Sequence, residues 1–206
     1  MLTIWGRISS INVQKVVWAA GEVGQPFERI DVGGQFGGNR EPAYLAKNPN
    51  GQVPTLEDGE VVIWESNSIV RYLAARYGAG WIWEEDPARR AEADRWMDWM
   101  LSELQPSMTP AFWGLIRKTP GYTDEAVIAA SVAKAEAKLD ILEAHLAGRS
   151  YVANERFGMG DIAVALGAHR WLHMPVAQKD WPNIRRWYAQ VSARPAAAPA
   201  MPLPIT

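Results

Sequence analysis

The sequence predicts an α/β unit followed by an all-helical one. Three observations carry that prediction. Residues 2–32 read as strand, helix, strand. Residues 51–77, GQVPTLEDGEVVIWESNSIVRYLAARY, read as a hairpin and a helix. Beyond Pro87 the apolar residues recur only at helical spacing.

The order of the first unit is β-α-β-α-β-β-α. Leu2–Trp5 is a first short strand, and residues 6–10 form a turn with two hydroxyls. Val13, Val16, Val17, Ala20 and Val23 then fall at i, i+3, i+4, i+7 spacing, an amphipathic helix that stops at Gly24. Pro26 restarts the chain, and residues 27–32 are a second strand. Strand–helix–strand in so short a run implies parallel strands. The loop GGQFGGNR, residues 33–40, holds four glycines but lacks the G-x-G-x-x-G order of a dinucleotide site. Residues 42–47 form a short helix, and 48–51 are turn chemistry. Asp58-Gly59 lies between two apolar runs and predicts a two-residue hairpin loop. Pro54 cannot donate to a ladder, so it belongs at an edge or a bend. Ser66 reads as an N-cap, with Ile69, Val70, Leu73 and Tyr77 at helical spacing behind it.

Residues 78–86 mark a boundary between units 1–80 and 86–206. Asp86-Pro87 is a cap followed by a first-turn proline. A long helical segment runs from Pro87 to about residue 116, bent or broken by Pro106 and Pro110. Trp96, Trp99 and Met100 share its core face. Residues 123–147 form a helix with Val132, Leu139, Leu142 and Leu146 inward. Residues 161–173 form another, and Ile184, Trp187, Tyr188 and Val191 stripe a last one. The Ala/Pro-rich tail, 194–206, is expected to be extended.

Composition narrows the chemistry. The chain is 48% hydrophobic, enough for a sizeable core, and its net charge of −2 offers no basic field for nucleic acid or an anionic membrane. It has no Cys, which excludes disulfides, thiolate metal sites and a protein thiol nucleophile. No secretory signal and no uncharged 18-residue run is visible. His169 and His173 lie four apart on a helix, but a zinc site needs a third or fourth ligand. No metal is expected.

VPTLEDG and ESNSIVRYLA, in this order and spacing, resemble the glutathione-binding half of cytosolic glutathione transferases. FGMGDIAVA resembles the family's folding cap, with Gly158 where Ser or Thr is usual, and WPNIRRWYAQVSARPA resembles its last conserved helix. The resemblance spans residues 2–197. It implies a thioredoxin-like first domain with a mixed four-stranded sheet, an all-helical second domain, and a cytoplasmic homodimer. It implies glutathione as co-substrate and conjugation of its thiolate to apolar electrophiles, a detoxification chemistry. The alternative is a transferase-like protein that binds ligands or partners without catalysis.

The same resemblance assigns residues. The Val53-Pro54 bond is cis, and the Val53 backbone pairs with the cysteinyl part of glutathione. Ser66 holds the γ-glutamyl carboxylate and Glu65 faces the ammonium. Gln52 is a weaker contact, and Asn39 or Arg40 reaches the glycine carboxylate. GRISSINVQKVVW resembles the Ser-type theta and phi classes and places Ser10 at the catalytic position, with Asn12 and Ser9 as alternatives. Ile8, Phe112 and Trp113 are the candidates for the electrophile, in a site at the domain interface. The chemical demand is plain. A free thiol ionises near pH 8.5, and lowering that by about two units takes roughly 2.7 kcal/mol. A hydroxyl bond to the anion supplies about 1.5–3 kcal/mol, and a helix N-terminus about 0.3–1.

Overall fold

The computed structural model describes residues 1–206. It divides into two units, residues 1–87 with 195–202, and residues 88–194 with 203–206.

The first unit is built on a four-stranded sheet of order β2-β1-β3-β4. β1 (Leu2–Trp5) pairs parallel with β2 (Phe27–Ile30), Leu2 opposite Phe27. It pairs antiparallel with β3 (Thr55–Asp58), Ile4 opposite Leu56. β4 (Val61–Trp64) closes the far edge. The mixed sheet and parallel β1–β2 crossover therefore match expectation. Ile4 and Leu56 are fully buried, and α1 (Ile11–Glu22) covers them with Val13, Val16, Val17 and Ala20. Gly24, at φ +67, turns the chain out of α1. α2 (Pro42–Leu45) is shorter than expected, and α3 (Ser66–Tyr77) buries Ile69, Val70 and Leu73.

Three expectations are corrected here, those for the hairpin loop, the Ser66 cap and the tail. The hairpin loop is Gly59-Glu60, because Asp58 still pairs with Val61. Gly59 alone has positive φ, +61, the type II′ pattern. Asp58 stays in the strand, where Tyr72 and Tyr77 donate their hydroxyls to its carboxylate. Ser66 is the first helical residue and Glu65 the cap position. Pro54 sits at a bend just before β3, an interior strand. The tail is not extended: residues 198–200 form a 3₁₀ turn, and Ala197 and Ala200 are buried. Only small residues fit there, since a Cβ on Gly21 of α1 would lie 3.0 Å from the Ala196 Cβ.

The second unit is helical throughout. α4 (Pro87–Trp99) runs through a π-helical turn, Met100–Leu104, into α5 (Gln105–Leu115). In that turn the Gln105 N–H bonds the Met100 carbonyl five residues back. The wider turn accommodates Pro106, whose missing N–H and ring forbid ordinary helical register. Asp124 caps α6 (Glu125–His145), accepting from the Ala126 and Val127 amides. Leu139, Leu142 and Leu146 are buried and Val132 half-buried. α7 (Met159–Leu172) is the central helix, and α8 (Pro182–Ser192) packs Ile184, Trp187 and Val191 inward. Asp161 in the first turn of α7 is fully buried. It accepts from the Gly158 and Val152 amides at 3.0 Å and from the Trp187 indole at 2.8 Å. Burial pushes its carboxyl up to about 7, against the pull of those donors. No helix is long and apolar enough to cross a membrane.

Candidate active site

The first unit carries a polar pocket of about 140 Å³ lined by Asn12, Asn48, Gln52, Val53, Pro54, Glu65 and Ser66. Six of these are sequence-predicted residues, drawn from α1, the turn before β3 and the start of α3.

The turn before β3 is fixed from beneath. The Tyr44 hydroxyl donates to the Gln52 carbonyl at 2.6 Å and lies 2.9 Å from the Thr55 hydroxyl. The Asn48 amide donates to the same Gln52 carbonyl at 2.9 Å, and its oxygen accepts from the Asn50 backbone. Gly51 takes φ +61, where a Cβ would lie 2.7 Å from the Arg40 guanidinium. The Val53-Pro54 bond is cis. With those carbonyls and side chains satisfied internally, the Val53 edge is presented to the pocket.

Helix α3 opens onto the same pocket. Glu65 has φ +71 and ψ 111, a left-handed backbone that costs a non-glycine residue about 1–3 kcal/mol. The turn carries the chain from the edge strand into the helix, so that Ser66, 4% exposed, enters the pocket wall at the helix N-terminus. Unbonded N–H groups and the helix dipole there suit an anion. Next along, Asn67 accepts from the Nζ of Lys15, a fully buried side chain of α1, at 3.3 Å. This buried bond ties α1 to the first turn of α3. It holds the Asn12 and Ser66 walls in register.

Asn12 contributes a buried side-chain oxygen with no hydrogen-bond partner in the chain. A buried acceptor left open costs about 1–3 kcal/mol, so it marks a place for a ligand donor. Ser10 does not line this pocket. It is the N-cap position of α1, with its carbonyl bonded to the Gln14 amide, and its hydroxyl makes no cap bond. Asn39 lies beside the pocket, donating to the Gly51 carbonyl at 2.7 Å. Arg40 reaches the Asn50 carbonyl at 3.4 Å.

Of the electrophile candidates, Ile8 belongs to the first unit and Phe112 and Trp113 to the second. Ile8 is half-buried, and its carbonyl accepts from the Gln14 side chain. Phe112 is 1% exposed, with the guanidinium groups of Arg170 and Arg117 at 3.9 and 5.0 Å from its ring centre. The ring is packed within the helical unit. Trp113 is half-buried, edge-on to Tyr122 at 4.7 Å. His169 is bonded to the Tyr188 hydroxyl at 2.7 Å, and His173 donates to the His169 carbonyl at 2.8 Å. Sequence reasoning missed Asn48, since its neighbours Pro49, Asn50 and Gly51 read only as a turn.

Residues 1–75 match the family model described as Glutathione S-transferase, N-terminal domain, and residues 98–195 the model described as Glutathione S-transferase, C-terminal domain. Glutathione S-transferase GstB of Escherichia coli K12 is 41% identical over 208 residues, covering 100% of both chains. Glutathione S-transferase 3 of Zea mays is 33% identical, covering 98% of this chain and 96% of its own. Among solved structures, the theta class glutathione S-transferase of Xanthomonas axonopodis pv. citri, with glutathione bound, superposes with a TM-score of 0.94. It is 45% identical, and the match covers 100% of this chain and 99% of the other.

Proposed function

This chain belongs to the glutathione S-transferase family and is a glutathione S-transferase; from that premise we propose how its own residues bind glutathione and activate it. The observation that carries the reading is the single pocket that gathers Asn12, Gln52, Val53, Pro54, Glu65 and Ser66 around an unpartnered buried amide oxygen.

In this reading the Val53 backbone pairs with the cysteinyl residue of glutathione. Ser66 and the N-terminus of α3 hold the γ-glutamyl carboxylate, and Glu65 meets the adjacent ammonium. Gln52 adds a polar contact, and Asn39 with Arg40 lies toward the glycine carboxylate. The Ser10 hydroxyl donates to sulfur and favours the thiolate; Asn12 is the alternative donor. The thiol proton passes to solvent and the thiolate attacks an electrophilic carbon. A C–S bond forms while a leaving group departs with its electron pair, or the adduct takes up a proton.

The electrophile is apolar at its reacting end, with Ile8, Phe112 and Trp113 as the contact candidates. The working form is a cytoplasmic homodimer. Calorimetric titration with reduced glutathione, followed by a turnover screen across aryl halides and unsaturated carbonyls, tests the reading. Binding with turnover is expected, and absence of binding overturns it.

A further inference from the structure

One cation beside this site has no partner. The Arg7 guanidinium makes no hydrogen bond, ion pair or ring contact, although the residue is half-buried. Its backbone is held at both ends, donating to the Val32 carbonyl and accepting from the Ser10 amide, each at 3.1 Å. The side chain lies across Gly33 and Gly34, whose φ values are +82 and +59. A Cβ on Gly34 would lie 2.8 Å from the Arg7 Nε. The two glycines thus clear the space that Arg7 occupies. The nearby acid is already engaged: Asp31 pairs with Arg29, which also donates to the Gly6 carbonyl.

Arg7 is also close to the pocket. A Cβ on Gly33 would lie 3.2 Å from Arg7 Nη1 and 3.4 Å from Val53 Cγ1, so both groups flank one point. Ser10, bonded to the Arg7 carbonyl, shares its turn. A planar guanidinium partly stripped of water and left unpaired is suited to a carboxylate, which it binds with two parallel N–H bonds. Both carboxylates of glutathione already have places, one at Ser66 and one toward Asn39 and Arg40. A third anion has to come from the other substrate. Resting on the reading above, we infer that Arg7 selects carboxylate-bearing electrophiles.

A matched pair of aryl chlorides tests this, 4-chloro-3-nitrobenzoate and its neutral amide, 4-chloro-3-nitrobenzamide. In both, glutathione thiolate attacks the carbon bearing chlorine, the C–S bond forms, chloride leaves with the C–Cl electron pair, and the thiol proton goes to solvent. The readout is the kcat/KM ratio of acid over amide, divided by the same ratio for the uncatalysed reaction. The wild-type ratio should exceed one by about 10- to 100-fold, the range of a charged hydrogen bond. Arg7→Gln should bring it close to one, and Arg7→Lys should keep part of it. A wild-type ratio near one, a ratio unchanged in Arg7→Gln, or no turnover of the acid each overturns the assignment. So does a loss in Arg7→Gln that tracks a raised pKa of the bound thiol, because Arg7 would then act on sulfur. Calorimetry with glutathione, run alongside, reports separately on the reading beneath: absence of binding overturns that one.

Discussion

Ser10→Ala separates a catalytic hydroxyl from a helix cap. A working Ser cap is worth about 0.5–2 kcal/mol of stability. Here Ser10 has the extended backbone of a cap residue, φ −88 and ψ 120, yet its hydroxyl accepts nothing from α1. Removing it should therefore change stability by less than about 0.5 kcal/mol. Catalysis should behave differently. A hydroxyl bond to thiolate is worth about 1.5–3 kcal/mol, which at about 1.36 kcal/mol per unit raises the thiol pKa by one to two units. At pH 7 the thiolate fraction, and kcat/KM with it, should fall about 10- to 100-fold. As pH rises through the raised pKa the fraction returns, so the deficit should shrink. Rate profiles from pH 6 to 9, ultraviolet titration of the bound thiolate, and a chemical melt measure all three quantities. A melt lowered by 1 kcal/mol or more with an unaltered pH profile would make Ser10 a cap and nothing else. Asn12→Ala is the companion variant. If it shows the pH-dependent loss and Ser10→Ala does not, the Asn12 side-chain N–H is the thiolate donor.

Other expectations follow from the same geometry. Ser66→Ala should weaken glutathione binding by about 1–3 kcal/mol, read by calorimetry, because it strips a donor from a bound carboxylate. Asp161→Ala should destabilise the protein by about 3–5 kcal/mol in urea unfolding, since three buried N–H donors lose their acceptor. The Asp161 carboxyl holds its proton to about pH 7 when folded and to about 3.9 when unfolded, so its contribution is present below pH 4 and lost as pH rises toward 7. Wild-type stability relative to Asp161→Asn should accordingly fall across that window, by at most about 1.4 kcal/mol per pH unit. Sedimentation at micromolar concentration should show a dimer. The edge strand β4 exposes Val61, Val62 and Trp64, and a lone 22.9 kDa species would refute the expectation.

The sequence was most informative where local chemistry decides structure. Short apolar runs and period-3.6 patterning, with Gly24, Pro26 and Pro87 as punctuation, are sufficient to order the elements of the sheet and start the helical unit. Motifs VPTLEDG and ESNSIVRYLA located most of the pocket walls because both lie on adjoining elements. What escaped depends on distant contacts. The Asp58-Gly59 pair predicts a turn at Asp58, but two tyrosines from α3 keep Asp58 in its strand. Nothing local reveals that the guanidinium groups of Arg117 and Arg170 lie over the Phe112 ring. Asn48 hid in a turn, although its amide supports the Gln52 carbonyl from below. Asn12 reaches the pocket wall from α1, whose tie to the first turn of α3 is the buried Lys15–Asn67 bond between elements distant in sequence.

The seating of residues 195–202 on α1 has a consequence for biosynthesis. The sheet and its helices are translated before residues 195–202, so the patch around Gly21 stays bare until those residues are made. During that interval the nascent unit carries an open apolar seam, and chaperone occupancy there should end only when Ala196, Ala197 and Ala200 arrive to close it.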